Sequence, residues 1–186
     1  ACKILNIPIT NTPQVFGDEV ADIAIAYLLG LARDTYWIDR EVRKGNWIKP
    51  TGVSISGKNI AVIGLGDIGQ SSIKRLKGFD VHIIAYDPFS NLNADELGIN
   101  AILEFPNRID EADFVILTCA LTPSSREMIN SNSIAKMKKG VRIINVSRGP
   151  LINENDLIKA LDNEWVKSVA LDVFEEEPIK TTNKLM

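Results

Sequence analysis

At 186 residues, with 45% hydrophobic and 24% charged residues, the chain has the make-up of a soluble globular domain long enough to bury a core. A net charge of −3, with Lys and Arg scattered, leaves no basic footprint for nucleic acid or an anionic membrane. The longest apolar stretch, Val20 to Ala32, contains Asp22 and is too short to span a bilayer, and the start of the chain lacks the basic-then-apolar pattern of a signal peptide. In chain order, Lys3 to Thr10 reads as a short strand running into a loop, with turn chemistry at Thr10-Asn11-Thr12-Pro13. Asp18 to Arg33 is a predicted helix: Val20, Ile23, Ala24, Tyr27, Leu28 and Leu31 recur at helical spacing, with acids in the first turn and Arg33 in the last. Residues 34–57 read as a polar connection carrying Trp37 and Trp47.

After Gly57 short apolar runs alternate with helical patterns. Strands are predicted over Asn59–Ile63, Val81–Tyr86, Phe114–Thr118, Val141–Val146 and Val166–Leu171. Helices are predicted over Ile68–Lys77, Glu104–Glu111 and Asn130–Lys139, the last stopped by two lysines and Gly140. A further helix runs from an Asn153 cap to about Asn163. The strands are apolar on both faces, the mark of a parallel sheet covered by helices on both sides. The fold class is α/β, a Rossmann-type doubly wound sheet. No internal repeat or low-complexity tract interrupts it. Cys2 and Cys119 lack metal-ligand spacing and read as the free or buried thiols of a cytoplasmic protein. Ala1 falls in what looks like the middle of a strand, and Met186 comes soon after an acidic loop, so a piece of a longer protein is expected.

Gly64-Leu65-Gly66-Asp67-Ile68-Gly69 has the G-x-G-x-x-G spacing, after a strand and opening a helix. Gly64 permits the tight turn, Gly66 lets the backbone approach a pyrophosphate, and Gly69 lets the helix pack closely on the strand. The helix N-terminus adds free N–H groups and positive dipole. Asp87 follows Gly69 by eighteen residues and closes Ile83-Ile84-Ala85-Tyr86. A carboxylate there accepts from a ribose 2′-hydroxyl and repels a 2′-phosphate, which favours NAD over NADP. Asp67 beside the pyrophosphate adds repulsion unless it turns outward or caps the helix; capping is the expectation.

Three more charged residues follow predicted strands, where ligands of open α/β sheets bind. Arg148 ends Arg142-Ile143-Ile144-Asn145-Val146-Ser147, Asp172 follows Ser168-Val169-Ala170-Leu171, and Glu177 closes Glu175-Glu176-Glu177 before Pro178. An arginine fork suits a substrate carboxylate or a carbonyl receiving hydride, and a carboxylate nearby could orient a catalytic histidine. From spacing alone, each of the three is more often a solvated surface charge.

Gly64–Gly69 with Tyr86-Asp87-Pro88, Leu121-Thr122-Pro123, Asn145-Val146-Ser147-Arg148-Gly149, and Leu171-Asp172-Val173-Phe174 with Glu177-Pro178 resembles the D-isomer-specific 2-hydroxyacid dehydrogenases, the family of phosphoglycerate, glycerate, hydroxypyruvate/glyoxylate and D-lactate dehydrogenases. The resemblance runs from about residue 4 to the end. It implies an NAD-dependent oxidoreductase moving hydride between NAD(H) and a small 2-hydroxy or 2-keto acid. It implies that Arg148 binds substrate, that Glu177 pairs with the catalytic histidine, and that Asp172 holds the nicotinamide amide. By the same resemblance Asp67 and Ile68 meet the pyrophosphate through their backbone, Asp87 meets the ribose, and Cys119, Val146 and Ser147 line the adenine and nicotinamide sides.

The family often has His and Pro within the segment that reads Thr118-Cys119-Ala120-Leu121 here, and Gly where this chain has Asp80, a residue that tolerates left-handed backbone. The acid/base histidine is expected beyond Met186; His82, the single histidine, reads as a strand surface residue. Residues 1–186 are read as one NAD-binding domain whose substrate lobe lies outside the chain, and the segment 18–52 as a helix and arm for a homodimer contact. Pro13 to Asp22 leans towards the hydroxypyruvate/glyoxylate reductase branch. The alternatives are an NAD(H)-sensing binding or corepressor-like module without turnover, and formate dehydrogenase, a branch without glutamate at the position of Glu177.

Overall fold

The apolar runs become the strands of a six-stranded, wholly parallel sheet in a computed structural model that describes residue 2, residues 4–10, residue 12 and residues 15–186. The strands are β1 (Asn59–Ile63), β2 (His82–Tyr86), β3 (Ala101–Leu103), β4 (Phe114–Leu117), β5 (Val141–Asn145) and β6 (Val166–Leu171), in the order β3-β2-β1-β4-β5-β6. Alternate residues of each strand feed opposite layers. Ile60 and Val62 pack with Ile83, Ala85, Phe114, Ile116 and Ile144 on one face, whereas Ala61 and Ile63 pack with Ile84, Tyr86, Val115, Leu117 and Ile143 on the other. Both faces of the central strands β1 and β4 are buried, so these strands need apolar residues at successive positions rather than at alternate ones.

Helices α1 (Gly17–Arg33) and α3 (Asp67–Leu76) cover the first layer through Ala24, Ile25, Leu28, Ile73 and Leu76. Arg75 of α3 ties the two helices by donating to Asp18 and Asp22 of α1. The second layer is closed by Ile134 of α5 (Ser131–Ile134) and by Leu157 and Ala160 of α6 (Glu154–Asp162). Asn153 caps α6 by accepting from the Asp156 N–H, as its sequence signal predicts. Asp80 takes the left-handed backbone (φ 53°) expected of it.

Several expectations are corrected. Residues 4–6 form a turn and 7–10 no strand; Lys3, Asn11 and Pro13 lie outside the described residues. The connection after residue 34 contains a helix, α2 (Thr35–Arg43), which buries none of its residues and so carries no core-facing pattern to reveal it. A short helix α4 (Ala94–Leu97) and the strand β3 precede Glu104, and of the predicted Glu104–Glu111 helix only Ile109–Glu111 is helical, as a single 3₁₀ turn after a turn over residues 105–108. Pro106 and the left-handed Arg108 (φ 61°) break that segment. The predicted Asn130–Lys139 helix stops at Ile134, and the Met137 carbonyl accepts from the Trp165 indole. No helix among the described residues is long and apolar enough to cross a membrane.

Candidate cofactor site

The strand order reverses between β1 and β4, and a cavity of about 860 Å³ opens at the carboxyl ends of those strands. Such a switch point is where open parallel sheets bind ligands. The three glycines of the β1–α3 turn have distinct spatial reasons. Gly64 has φ +104°, and a Cβ there would stand 2.6 Å from the Cys119 backbone. At Gly69 a Cβ would stand 2.0 Å from the Gly64 carbonyl oxygen, so only glycine lets α3 sit this close to β1. At Gly66 a Cβ would meet nothing within 4 Å; the bare backbone faces the cavity, where a ligand can reach it. Gly66 is also the N-cap of α3 and supplies no side-chain cap, leaving first-turn N–H groups to whatever fills that space.

Asp67 therefore does not cap the helix. It is the first helical residue, and its carboxylate lies over Gly17 of α1, where a Cβ would come within 2.1 Å of it. The acid has turned out of the phosphate cradle into a gap left by a glycine. Asp87, at the end of β2, accepts from the Leu65 N–H at 2.8 Å and the Phe89 N–H at 2.9 Å. One carboxylate thus fixes the glycine turn while standing in the wall of the cavity. The rest of the wall is mainly apolar, with Ile68, Tyr86, Phe105, Leu121 and Met128.

A run of side-chain bonds to backbone ties the strand ends together. Thr118, buried, donates to the carbonyls of Ile63 and Gly64, joining β4 to β1. Ser147 donates to the Cys119 carbonyl, joining β5 to β4. Asn145, fully buried, accepts from the Ser147 N–H at 3.0 Å and donates to the Arg148 carbonyl at 2.9 Å, setting the turn that carries Arg148. Its own carbonyl accepts from the Asp172 N–H at 2.9 Å, joining β6 to β5. Gly149 lets this turn touch the next loop: a Cβ there would fall 1.9 Å from the Phe174 carbonyl oxygen.

Gly64, Gly66, Ile68, Asp87, Cys119, Ser147 and Arg148 line the one cavity. The Arg148 side chain is exposed and donates to the Ser147 carbonyl at 2.7 Å. Gly69 lies behind the turn, and Val146 is buried in the apolar layer with Val62 and Ile144. Asp172 and Glu177 are exposed on the loop after β6: Asp172 accepts from the Tyr27 hydroxyl at 3.2 Å, and Glu177 accepts from the Phe174 N–H at 3.0 Å. Reciprocal bonds between Glu154 and Glu175 (2.7 and 2.8 Å) fasten that loop to the start of α6. Burial, more than the nearby Asp87 charge, pushes the Cys119 thiol up to about 11. Sequence reasoning passed over Thr118, Asn145 and Tyr27. A polar residue closing an apolar strand is the signal that marks the first two; nothing in the sequence marks Tyr27 apart from its helical neighbours.

This arrangement can hold a dinucleotide: an open glycine backbone for a diphosphate, a carboxylate for ribose hydroxyls, and an apolar cleft for a flat base. The sequence profile of the D-isomer specific 2-hydroxyacid dehydrogenase, NAD binding domain family matches residues 25–186. The chain belongs to this family. As an NAD-binding domain of the D-2-hydroxyacid dehydrogenases, it is 39% identical over its whole length to D-3-phosphoglycerate dehydrogenase 2, chloroplastic, of Arabidopsis thaliana, covering 29% of that protein. It is 41% identical to a glyoxylate reductase of Pyrococcus horikoshii, across 92% of the chain and 54% of the relative. Its structure superposes on the crystal structure of a glyoxylate reductase from Paecilomyes thermophila with a TM-score of 0.89 at 32% identity, covering 98% of this chain and 56% of that one. The chain thus spans about half the length of the glyoxylate reductases it matches, and less of the plant enzyme.

Proposed function

We propose that the protein is an NAD-dependent dehydrogenase of small 2-hydroxy acids, with residues 1–186 forming its cofactor domain. The observation that carries this reading is the convergence of the Gly64–Gly69 turn, Asp87 and Arg148 on one cavity at the switch point. A nicotinamide cofactor held by the Gly64–Gly69 turn and Asp87 would supply hydride transfer to or from the substrate carbon. The chain's own residues do the holding. First-turn N–H groups of α3 donate to the diphosphate oxygens, and Asp87 accepts from ribose hydroxyls and repels a 2′-phosphate. Cys119 and Ser147 form the walls, with the Val146 backbone between the two strand ends.

Arg148 spends one N–H on a carbonyl and keeps the rest of its fork for a substrate carboxylate or carbonyl. Glu177 has one oxygen on a backbone N–H and another to orient a histidine. That histidine is not His82, which is exposed at the amino end of β2, opposite the cavity. The acid/base group and the groups that choose the substrate are therefore assigned to chain outside residues 1–186. The family relatives include phosphoglycerate, glyoxylate and D-lactate enzymes, which supports a small 2-keto or 2-hydroxy acid as the substrate class. The free thiols Cys2 and Cys119 suit a cytoplasmic protein. The apolar side chains left open on α2 and the segment after it suit a homodimer.

Calorimetric titration with NADH and NADPH tests the cofactor assignment. NADH should bind at least about tenfold more tightly, because Asp87 opposes the extra phosphate. Asp87→Ser should shrink that preference. Equal binding of both by the unaltered protein would remove the assignment.

A further inference from the structure

We propose that Tyr27 is a positioning residue for the nicotinamide end of the cofactor, acting through Asp172. The inference rests on the reading above that Asp172 receives the nicotinamide amide. Tyr27 lies on α1, remote in sequence from every motif of the site, yet its hydroxyl donates to Asp172 Oδ1 at 3.2 Å. Asp172 is exposed, and its backbone is held from the other side by the Asn145 carbonyl at 2.9 Å. One bond fixes where the residue starts, and the other fixes where its carboxylate points. Oδ2 is left to accept from an amide N–H.

Tyr27 is itself aimed. Its ring meets Tyr36 edge-on, with centroids 6.4 Å apart at 71°. Tyr36 in turn sits over Gly30, where a Cβ would come within 2.2 Å of its ring. A glycine on α1 thus admits the first aromatic of α2, which braces the tyrosine that reaches the acid. Burial first, and then the Asp172 charge, raise the Tyr27 hydroxyl above its ordinary value, so it stays a donor throughout the neutral range. A solvent-exposed aspartate without such a partner samples several rotamers, and a ligand must then pay to fix one.

The test compares NADH with ADP-ribose, which keeps the adenosine and diphosphate but lacks nicotinamide. Both are titrated by calorimetry against the unaltered protein, Tyr27→Phe and Asp172→Asn. Tyr27→Phe keeps the ring and its packing. It should weaken NADH about two- to tenfold and leave ADP-ribose unchanged. Equal losses on both ligands would make Tyr27 a structural residue, and no loss on NADH would make the contact idle; either overturns the proposal. Asp172→Asn separates the two layers of the argument. If it leaves NADH binding unchanged, the assignment of Asp172 fails and the proposal falls with it. If it weakens NADH alone while Tyr27→Phe does nothing, only the Tyr27 proposal fails.

Discussion

Cys119 shows how an individual residue's chemistry is set by what surrounds it. Its thiol faces the cavity beside Met128, and burial holds it up to about 11. At pH 8 about one molecule in a thousand then carries the thiolate, the form that reacts. Disulfide exchange with a chromogenic reagent at pH 8 should therefore find Cys119 slow in the native protein and as fast as an ordinary thiol once the protein is denatured. Native Cys119 reacting at the denatured rate would contradict the burial. At this scale type and spacing marked the glycines of the turn and Asp87, whereas Arg148 reads from spacing alone as a surface charge and takes a substrate role only through the family resemblance. Thr118, Asn145 and Tyr27 escaped because their partners are atoms brought near only by folding: carbonyls of Ile63 and Gly64, the Arg148 turn, and the Asp172 carboxylate on the loop after β6.

At the level of elements, the β1–α3 turn separates folding from binding within one motif. Gly69→Ala drives a Cβ into the Gly64 carbonyl and should cost about 1–3 kcal/mol in thermal or denaturant unfolding. Gly66→Ala meets nothing within 4 Å and should leave stability within about 0.5 kcal/mol of the unaltered protein. Its methyl would instead occupy the space offered to the diphosphate, so NADH affinity should fall more than about tenfold. Normal NADH binding by Gly66→Ala would count against the cradle. Long apolar elements were legible because both their faces or one full stripe is buried: α1 and β1 were found almost to the residue. The three-residue β3 is too short to show a period, α2 buries nothing, and the segment after Asn130 is turned from its helix by tertiary contacts.

For the whole molecule, exposed large apolar side chains occur at several places among the described residues, Ile9, Phe16 and Phe89 included, and one group lies near α2. Trp37, Val42 and Trp47 are 46%, 45% and 79% exposed, on α2 and the segment that follows it. Aromatic side chains grouped in this way favour contact with another protein surface. Sedimentation equilibrium should give twice the mass of one chain, and Trp37→Ala with Trp47→Ala should shift the protein towards monomer. A monomer at micromolar concentration before any substitution would refute the homodimer.

The sequence by itself determined the parallel α/β architecture, the dinucleotide turn and its acid, because these depend on local pattern: apolar runs, glycine spacing and a strand's last residue. The tertiary structure alone decided which way Asp67 turns, which buried hydroxyl and amide lock the strand ends together, and which tyrosine meets Asp172. Each of those depends on the distance between groups far apart in the chain, and such distances exist only after the sheet has assembled.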